Sequence, residues 1–265
     1  MEYVIDLQKV SWKREETNLL HDVSWQVKKG EHWALLGLNG SGKTTLLNII
    51  NGYIWPTKGT VHVLGQRFGA VNLPELRKSI GWVSSSLQEK LYGHDLAQEV
   101  VISGKHASIG LYEHVMQEEL ERALSLMEIM GCSHLVNRTY AACSQGEKQK
   151  LLIARALMAE PAILILDEPC NGLDLFSRER LLQSVNELAK RPDGPTLIYV
   201  THHLEEIMPV FTRTLLLRRG EIYKTGNTKE VLTEEYLSHF FEHPVSVQWE
   251  DERASVKLKI QTNTY

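Results

Sequence analysis

The chain has 265 residues, with 29 Lys and Arg against 33 Asp and Glu, for a net charge of −4. A 43% hydrophobic and 23% charged composition is that of a soluble globular protein and excludes extensive disorder. The slight acidic excess gives no global drive toward nucleic acid or anionic lipid. Mean hydropathy is −0.23. The longest apolar stretch, Leu151 to Leu166, is interrupted by Arg155, Glu160 and Pro161. A bilayer span needs about 20 nearly uncharged residues, so no transmembrane segment is expected.

The start, Met-Glu-Tyr-Val-Ile-Asp, lacks the basic flank and apolar run of a signal peptide. Cys132, Cys143 and Cys170 are odd in number and stand in no metal-ligand spacing, which fits a reducing compartment. The expectation is a cytoplasmic protein with a substantial core.

In chain order, the first third alternates as strands do. Tyr3 to Leu7 and Trp25 to Val27 are short β-type runs, the second closed by a turn at Lys29-Gly30. The apolar run His32 to Leu36 leads into Gly37-Leu38-Asn39-Gly40-Ser41-Gly42-Lys43-Thr44-Thr45 and then the helical-looking Leu46 to Ile50. Thr60 to Leu64 and Ile80 to Ser84 are further strand candidates. From about Gln98 to Ala159 the period becomes helical. Met116, Leu120, Leu124, Met127 and Met130 recur at three- and four-residue spacing as a packing stripe, with Gly131 as C-cap. Beyond Pro161 the apolar runs Ala162 to Leu166, Thr196 to Val200 and Thr214 to Leu217 have the length of strands buried on both faces. Leu181, Leu182, Val185 and Leu188 mark a helix between the first two. After Pro244, Val245, Val247 and Trp249, then Val256, Leu258 and Ile260, alternate around Asp251-Glu252-Arg253, the pattern of a hairpin with one apolar face.

The glycine loop fits G-x-x-x-x-G-K-[ST] completely and lies between a strand and a helix. Residues 37–45 form the nucleotide-binding segment. Glycines let the backbone N–H groups turn inward around phosphates, and the helix beginning near Lys43 adds its dipole. Lys43 supplies a point charge for the β- and γ-phosphates, and Thr44 a hydroxyl for Mg²⁺. Far downstream, Ile163 to Leu166 is an apolar strand that ends in Asp167-Glu168. Open α/β sheets place ligand chemistry at the carboxyl ends of such strands. Asp167 suits Mg²⁺, and Glu168 suits orienting or deprotonating an attacking water.

Three further segments, Cys143-Ser144-Gln145-Gly146-Glu147, Asn171-Gly172-Leu173-Asp174 and Thr201-His202-His203, follow in an order and spacing that resemble the ATP-binding cassette (ABC) ATPases. The resemblance spans about Val4 to Phe241. It implies an α/β fold: a P-loop NTPase core with a small antiparallel β subdomain and an inserted helical subdomain at about 86–155. Residues 1–241 would be the cassette and 242–265 a C-terminal extension. It implies Mg-dependent ATP hydrolysis by an ATP-dependent homodimer arranged head to tail. Ser144, Gln145, Gly146 and Glu147 would form the signature that faces the partner's ATP. His202 would be the switch histidine, catalytic together with Glu168 and Lys43, and Asp174 would couple the two sites.

The chain also departs from the family. Ser85 stands where the Q-loop glutamine is usual, and the first glutamine is Gln88, so either can serve. Cys143 and Gln145 replace leucine and glycine of the signature. The adenine platform falls on Arg14 or Trp12, since a guanidinium stacks on a base as a ring does.

The single-cassette build resembles bacterial importer-type subunits, with Gly81 to Gln88 most like the molybdate-uptake and photorepair subgroup. That resemblance implies a peripheral subunit on the cytoplasmic face, docked on a separate membrane permease, without direct nucleic-acid contact. The alternative is a soluble ATPase acting on nucleic acid or a ribosome. Family members of that kind usually carry two cassettes or a long coiled coil, and this chain has one Walker lysine motif and no sustained heptads. A phosphate-loop GTPase fails for want of an Asn-Lys-x-Asp motif.

Overall fold

A computed structural model describes residues 3–112 and 114–259, except for the side chains of Ser85 and Ser86. Ile260 of the tail alternation lies outside the described residues. The strands are β1 (Tyr3–Arg14), β2 (Thr17–Lys28), β3 (Trp33–Leu36), β4 (Lys58–Val63), β5 (Gln66–Arg67) and β6 (Ile80–Val83). They continue with β7 (Ile163–Asp167), β8 (Thr196–Thr201), β9 (Arg213–Arg218), β10 (Glu221–Asn227), β11 (Val245–Glu250) and β12 (Arg253–Leu258). The helices are α1 (Lys43–Ile50), α2 (Leu73–Lys78), α3 (Ser85–Gln88), α4 (Ala97–Ile102) and α5 (Gln117–Ile129). After them come α6 (Gln145–Leu157), α7 (Leu175–Ala189), α8 (Thr228–Val231) and α9 (Glu234–Phe241).

Two compact units result: residues 1–68 with 199–265, and residues 69–198. In the first, β2-β1-β4-β5 form an antiparallel sheet. Strict alternation would turn Val10 away from the side shared by Ile5 and Leu7. A bulge with Lys9 at φ +49° corrects this, so all three are buried. β2 does the same at Asp22 (φ +50°), which keeps Leu20, Val23, Trp25 and Val27 inside. β9 pairs parallel with β3 and antiparallel with β10. All four residues of β3 are buried, so the chain arrives at the glycine loop from a rigid, dry strand.

Glu31, just ahead of β3, accepts from Trp33 Nε1 (3.1 Å) and from Arg213 Nε at the start of β9 (2.9 Å). Partial burial pushes its carboxyl up, but the bonds from Trp33, the Lys28 amide and Arg213 outweigh it and hold the group below its ordinary value. A depressed carboxylate stabilises the fold above its unfolded pKa, and that contribution is lost as pH falls through the lowered folded pKa. Thermal melts across the acid range should therefore show a smaller acid-side loss of Tm for Glu31→Gln than for the natural chain.

In the second unit β6 pairs parallel with β7, and four of the five β7 residues are buried, leaving Asp167 at the open end. α5 ends where Gly131 takes φ +62°, as its position required. Its buried residues are Glu119, Ala123, Leu126 and Met127, followed by Met130 at the C-cap, while Leu120 and Leu124 of the expected stripe are half-buried. Met116 is not in the stripe: it is the N-cap residue, 62% exposed, because the helix starts one residue later than the periodicity implies.

β11 and β12 pair in register from Val245↔Leu258 to Glu250↔Arg253. Asp251 (φ +47°) and Glu252 (φ +64°) make the left-handed two-residue turn that suits strand twist. The alternating apolar side is only partly covered. Val245 and Ala254 are buried, whereas Trp249 and Leu258 are exposed.

Candidate nucleotide site

In the first unit, the loop between β3 and α1 is fixed by close backbone approach. A Cβ on Gly37 would lie 2.4 Å from Ser41 Oγ and 2.8 Å from the Leu217 carbonyl. Gly42 combines φ +105° with a Leu19 carbonyl 2.9 Å from where its Cβ would be. The loop is tied to its neighbours by the Gly37 amide donating to the Thr201 carbonyl (3.3 Å) and the Gly220 amide to the Ser41 carbonyl (2.9 Å).

Lys43 is buried and spans the loop, donating from Nζ to the carbonyls of Gly37 (2.7 Å) and Leu38 (3.4 Å). Among the described residues the buried Ser41 hydroxyl has no hydrogen-bond partner, which leaves polar capacity for a ligand. Thr44 is exposed at the second position of α1. Leu38 stands out at 46% exposure, with Asn39 and Gly40 exposed beside it, and Thr45 is half-buried.

His202 follows the Thr201 carbonyl that Gly37 engages, so His202 and the loop are neighbours. Both Leu38 and His202 line an open cavity of about 410 Å³, with Phe241, Val245 and Val256 also in its lining. The His202 ring lies 4.0 Å from that of His203. Behind it sits a carboxylate that sequence reasoning missed. Glu206 is 3% exposed and accepts from Thr201 Oγ1 (2.6 Å) and Tyr199 OH (3.1 Å). Next to the identical Glu205, nothing in the sequence singled it out. At the end of β1, Arg14 is exposed opposite Thr17, while Trp12 is half-buried opposite Leu20.

The second unit gathers the remaining residues. Glu168 follows Asp167 with φ +49°, a strained conformation for a side chain of that size. Ser144 is the exposed N-cap of α6 and makes a capping box: Glu147 N donates to its hydroxyl (3.4 Å) and its own amide donates to Glu147 Oε2 (2.7 Å). Burial pushes the Glu147 carboxyl up, but the Ser144 bonds, His134 and Arg138 together hold it below the ordinary range. Gly146 is buried where a Cβ would meet Ser177 Cβ at 3.1 Å, so α6 begins hard against α7. Asp174 caps α7, accepting from the amides of Phe176 (2.9 Å) and Ser177 (3.0 Å) and from Ser177 Oγ (2.6 Å). Those bonds, the Ser177 hydroxyl first, keep its carboxyl below the ordinary value. Burial raises the Cys143 thiol, which makes it a packing residue.

Gln88, in α3, forms a reciprocal amide pair with Gln145: Nε2 to Oε1 at 2.8 Å one way and 3.1 Å the other. Gln149 Nε2 also donates to Gln88 Oε1 (3.1 Å). The two departures from the family pattern thus meet. The Ser85 side chain lies outside the described residues.

A family model described as ABC transporter matches residues 20–171, more than half of the chain. The ABC transporter ATP-binding protein YlmA of Bacillus subtilis (strain 168) is 49% identical over 251 residues, covering 94% of this chain and 95% of that protein. ModF, an ABC transporter ATP-binding protein of Escherichia coli (strain K12), is 33% identical over 216 residues, 80% of this chain and 44% of ModF. Among solved structures, a dimeric ATP-binding cassette in a post-hydrolysis state with ADP and phosphate is similar at a TM-score of 0.70 and 28% identity, covering 84% and 98% of the two chains. The strand–glycine loop–helix unit, the acidic strand end and these likenesses agree on an α/β phosphate-loop ATPase fold. The chain belongs to the ABC transporter family, in which it is the ATP-binding, ATP-hydrolysing subunit.

Proposed function

We propose that two copies close head to tail over two ATP molecules and that the closing and opening drive a separate membrane permease from the cytoplasmic face. In this reading Lys43 and the amides of residues 37–45 hold the phosphates of one ATP. Ser144 and the Gly146 amide of the other copy cap its γ-phosphate, with Gln145 and Glu147 flanking them. The observation that carries this is the pair of separate anion-accepting ends in one chain. One is the loop ahead of α1, where buried Lys43 and the partnerless Ser41 hydroxyl face inward; the other is α6, 13 residues long, with Ser144 exposed at its start.

Thr44 and Asp167 would hold Mg²⁺. Both offer hard oxygen, and this ion takes one or two protein oxygens beside phosphate and water, so the donor set fits. When bound it neutralises charge developing on the phosphates. Glu168 orients and deprotonates the water, His202 steadies the γ-phosphate, and Asp174 transmits between the two sites while capping α7. Arg14, exposed at the strand end, stacks on adenine in preference to the half-buried Trp12. Gln88 takes the transmitting role in preference to Ser85, supported by its amide pair with the signature residue Gln145.

We divide the chain into a cassette of residues 1–241, with a helical part at about 86–155, and an extension at 242–265. The molybdate-uptake and photorepair likeness rests on Gly81 to Gln88 alone and names no solute. Among the described residues no helix is long and apolar enough to cross a membrane, in keeping with a peripheral subunit. A tagged Glu168→Gln chain, drawn from detergent-solubilised cells with Mg-ATP, should bring down one polytopic membrane protein. Recovery of ribosomal or DNA-bound proteins alone would sink the transport reading in favour of the soluble alternative.

A further inference from the structure

We infer that Arg253, in the C-terminal hairpin, is a positioning residue for His202 and that the hairpin thereby sets the rate of ATP hydrolysis. This rests on the reading of His202 as the switch histidine. His202 stands in the turn that leaves β8, and side-chain bonds hold that turn from inside. The His203 amide donates to Thr201 Oγ1 (3.0 Å), Thr201 Oγ1 donates to the buried Glu206 carboxylate, and the Glu206 amide closes back on the His203 carbonyl (3.3 Å). The outer side of the turn is held by Arg253, which donates to the Glu205 carbonyl from Nε (3.2 Å) and from Nη2. A planar guanidinium gripping one carbonyl through two N–H groups fixes direction as well as distance.

The hairpin that carries Arg253 is itself anchored. Ser238 Oγ accepts from the Val245 amide (3.1 Å), Lys229 pairs with Glu252 at the turn (2.9 Å), and Lys259 pairs with Glu234. Ala254, beside Arg253, is 2% exposed. A chain of fixed contacts therefore runs from α8 and α9 through the hairpin to the turn three residues after His202. Without Arg253 the turn keeps its inner bonds but loses its outer support, so His202 samples more positions. A catalytic group misplaced by about 1 Å is enough to cost up to about 100-fold in rate.

The test is a double-mutant cycle on the full-length chain, following steady-state ATP turnover with ATP affinity by calorimetry. Arg253→Ala is expected to lower kcat about tenfold with ATP affinity unchanged. Arg253→Lys should recover part of the loss, and Lys229→Ala, which frees the hairpin turn, should lower kcat in the same direction. In a His202→Ala background, Arg253→Ala should have no further effect, because its target is gone. Should His202→Ala slow turnover while Arg253→Ala has no effect, or adds in full to the His202→Ala loss, the positioning role is overturned and the switch assignment stands. If His202→Ala itself leaves turnover unchanged, both fall. Should Arg253→Ala fail to fold, Arg253→Lys and Lys229→Ala decide: natural kcat in both overturns the proposal.

Discussion

Glu168→Gln should abolish multiple turnover while leaving ATP bound. Glu168 sits immediately after the buried strand β7, in a left-handed backbone conformation (φ +49°). That placement puts a carboxylate-bearing residue at the end of the buried strand, and the amide of glutamine keeps the shape while losing the ability to take a proton. General-base catalysis contributes about 10²–10⁴-fold, so kcat should fall by at least about 100-fold. In the proposed closed state the substitution would also remove a negative charge facing the γ-phosphate, so that state should accumulate. Light scattering should therefore find dimer mass with Mg-ATP and monomer mass without it. A chain that remains monomeric with ATP would count against the head-to-tail sandwich, and turnover within about tenfold of the natural chain would remove Glu168 from the role of base.

What was legible beforehand follows from how local the physics is. The P-loop reads directly because its constraints lie within nine residues: close approach at Gly37, left-handed backbone at Gly42 and a lysine placed at the first turn of α1. β7 and β8 read as continuous apolar runs because both faces are buried. The bulges at Lys9 and Asp22 were hidden, since a bulge is dictated by the pairing strand. Met116 reads as part of the α5 stripe because a periodicity has no sharp end, whereas the N-cap geometry does.

Contacts between distant segments were least legible. Gln88 and Gln145, 57 positions apart, looked like two unrelated departures from a family pattern, yet they hydrogen-bond to each other. Asp174 looked like a coupling residue alone, but it also caps α7. Arg253 reads in the sequence as part of the hairpin's polar centre, and only the hairpin register brings it to the Glu205 carbonyl.

Lys43→Ala separates binding from chemistry in the opposite sense. Lys43 is 7% exposed, and its ammonium is held at the loop by two backbone carbonyls, so it is placed before any nucleotide arrives. Removing a buried, hydrogen-bonded partner of an anionic ligand costs about 2–5 kcal/mol, which corresponds to a loss of ATP affinity from tens- to thousands-fold. The fold should survive, because the loop keeps its ties to Thr201 and Gly220 through the backbone. In thermal melts without nucleotide the variant should stay close to the natural chain. The rise in Tm that ATP gives the natural chain should largely disappear, since that rise scales with ligand concentration over Kd. Calorimetry gives the decisive number: unchanged ATP affinity would contradict the phosphate assignment itself. If Lys43→Ala loses ATP while Glu168→Gln keeps it and accumulates as a dimer, the loop supplies the binding and the acidic strand end the turnover. Were both variants to lose ATP equally, Glu168 would belong to the binding site, and the base for the attacking water would have to be sought elsewhere, with His202 the first residue to test.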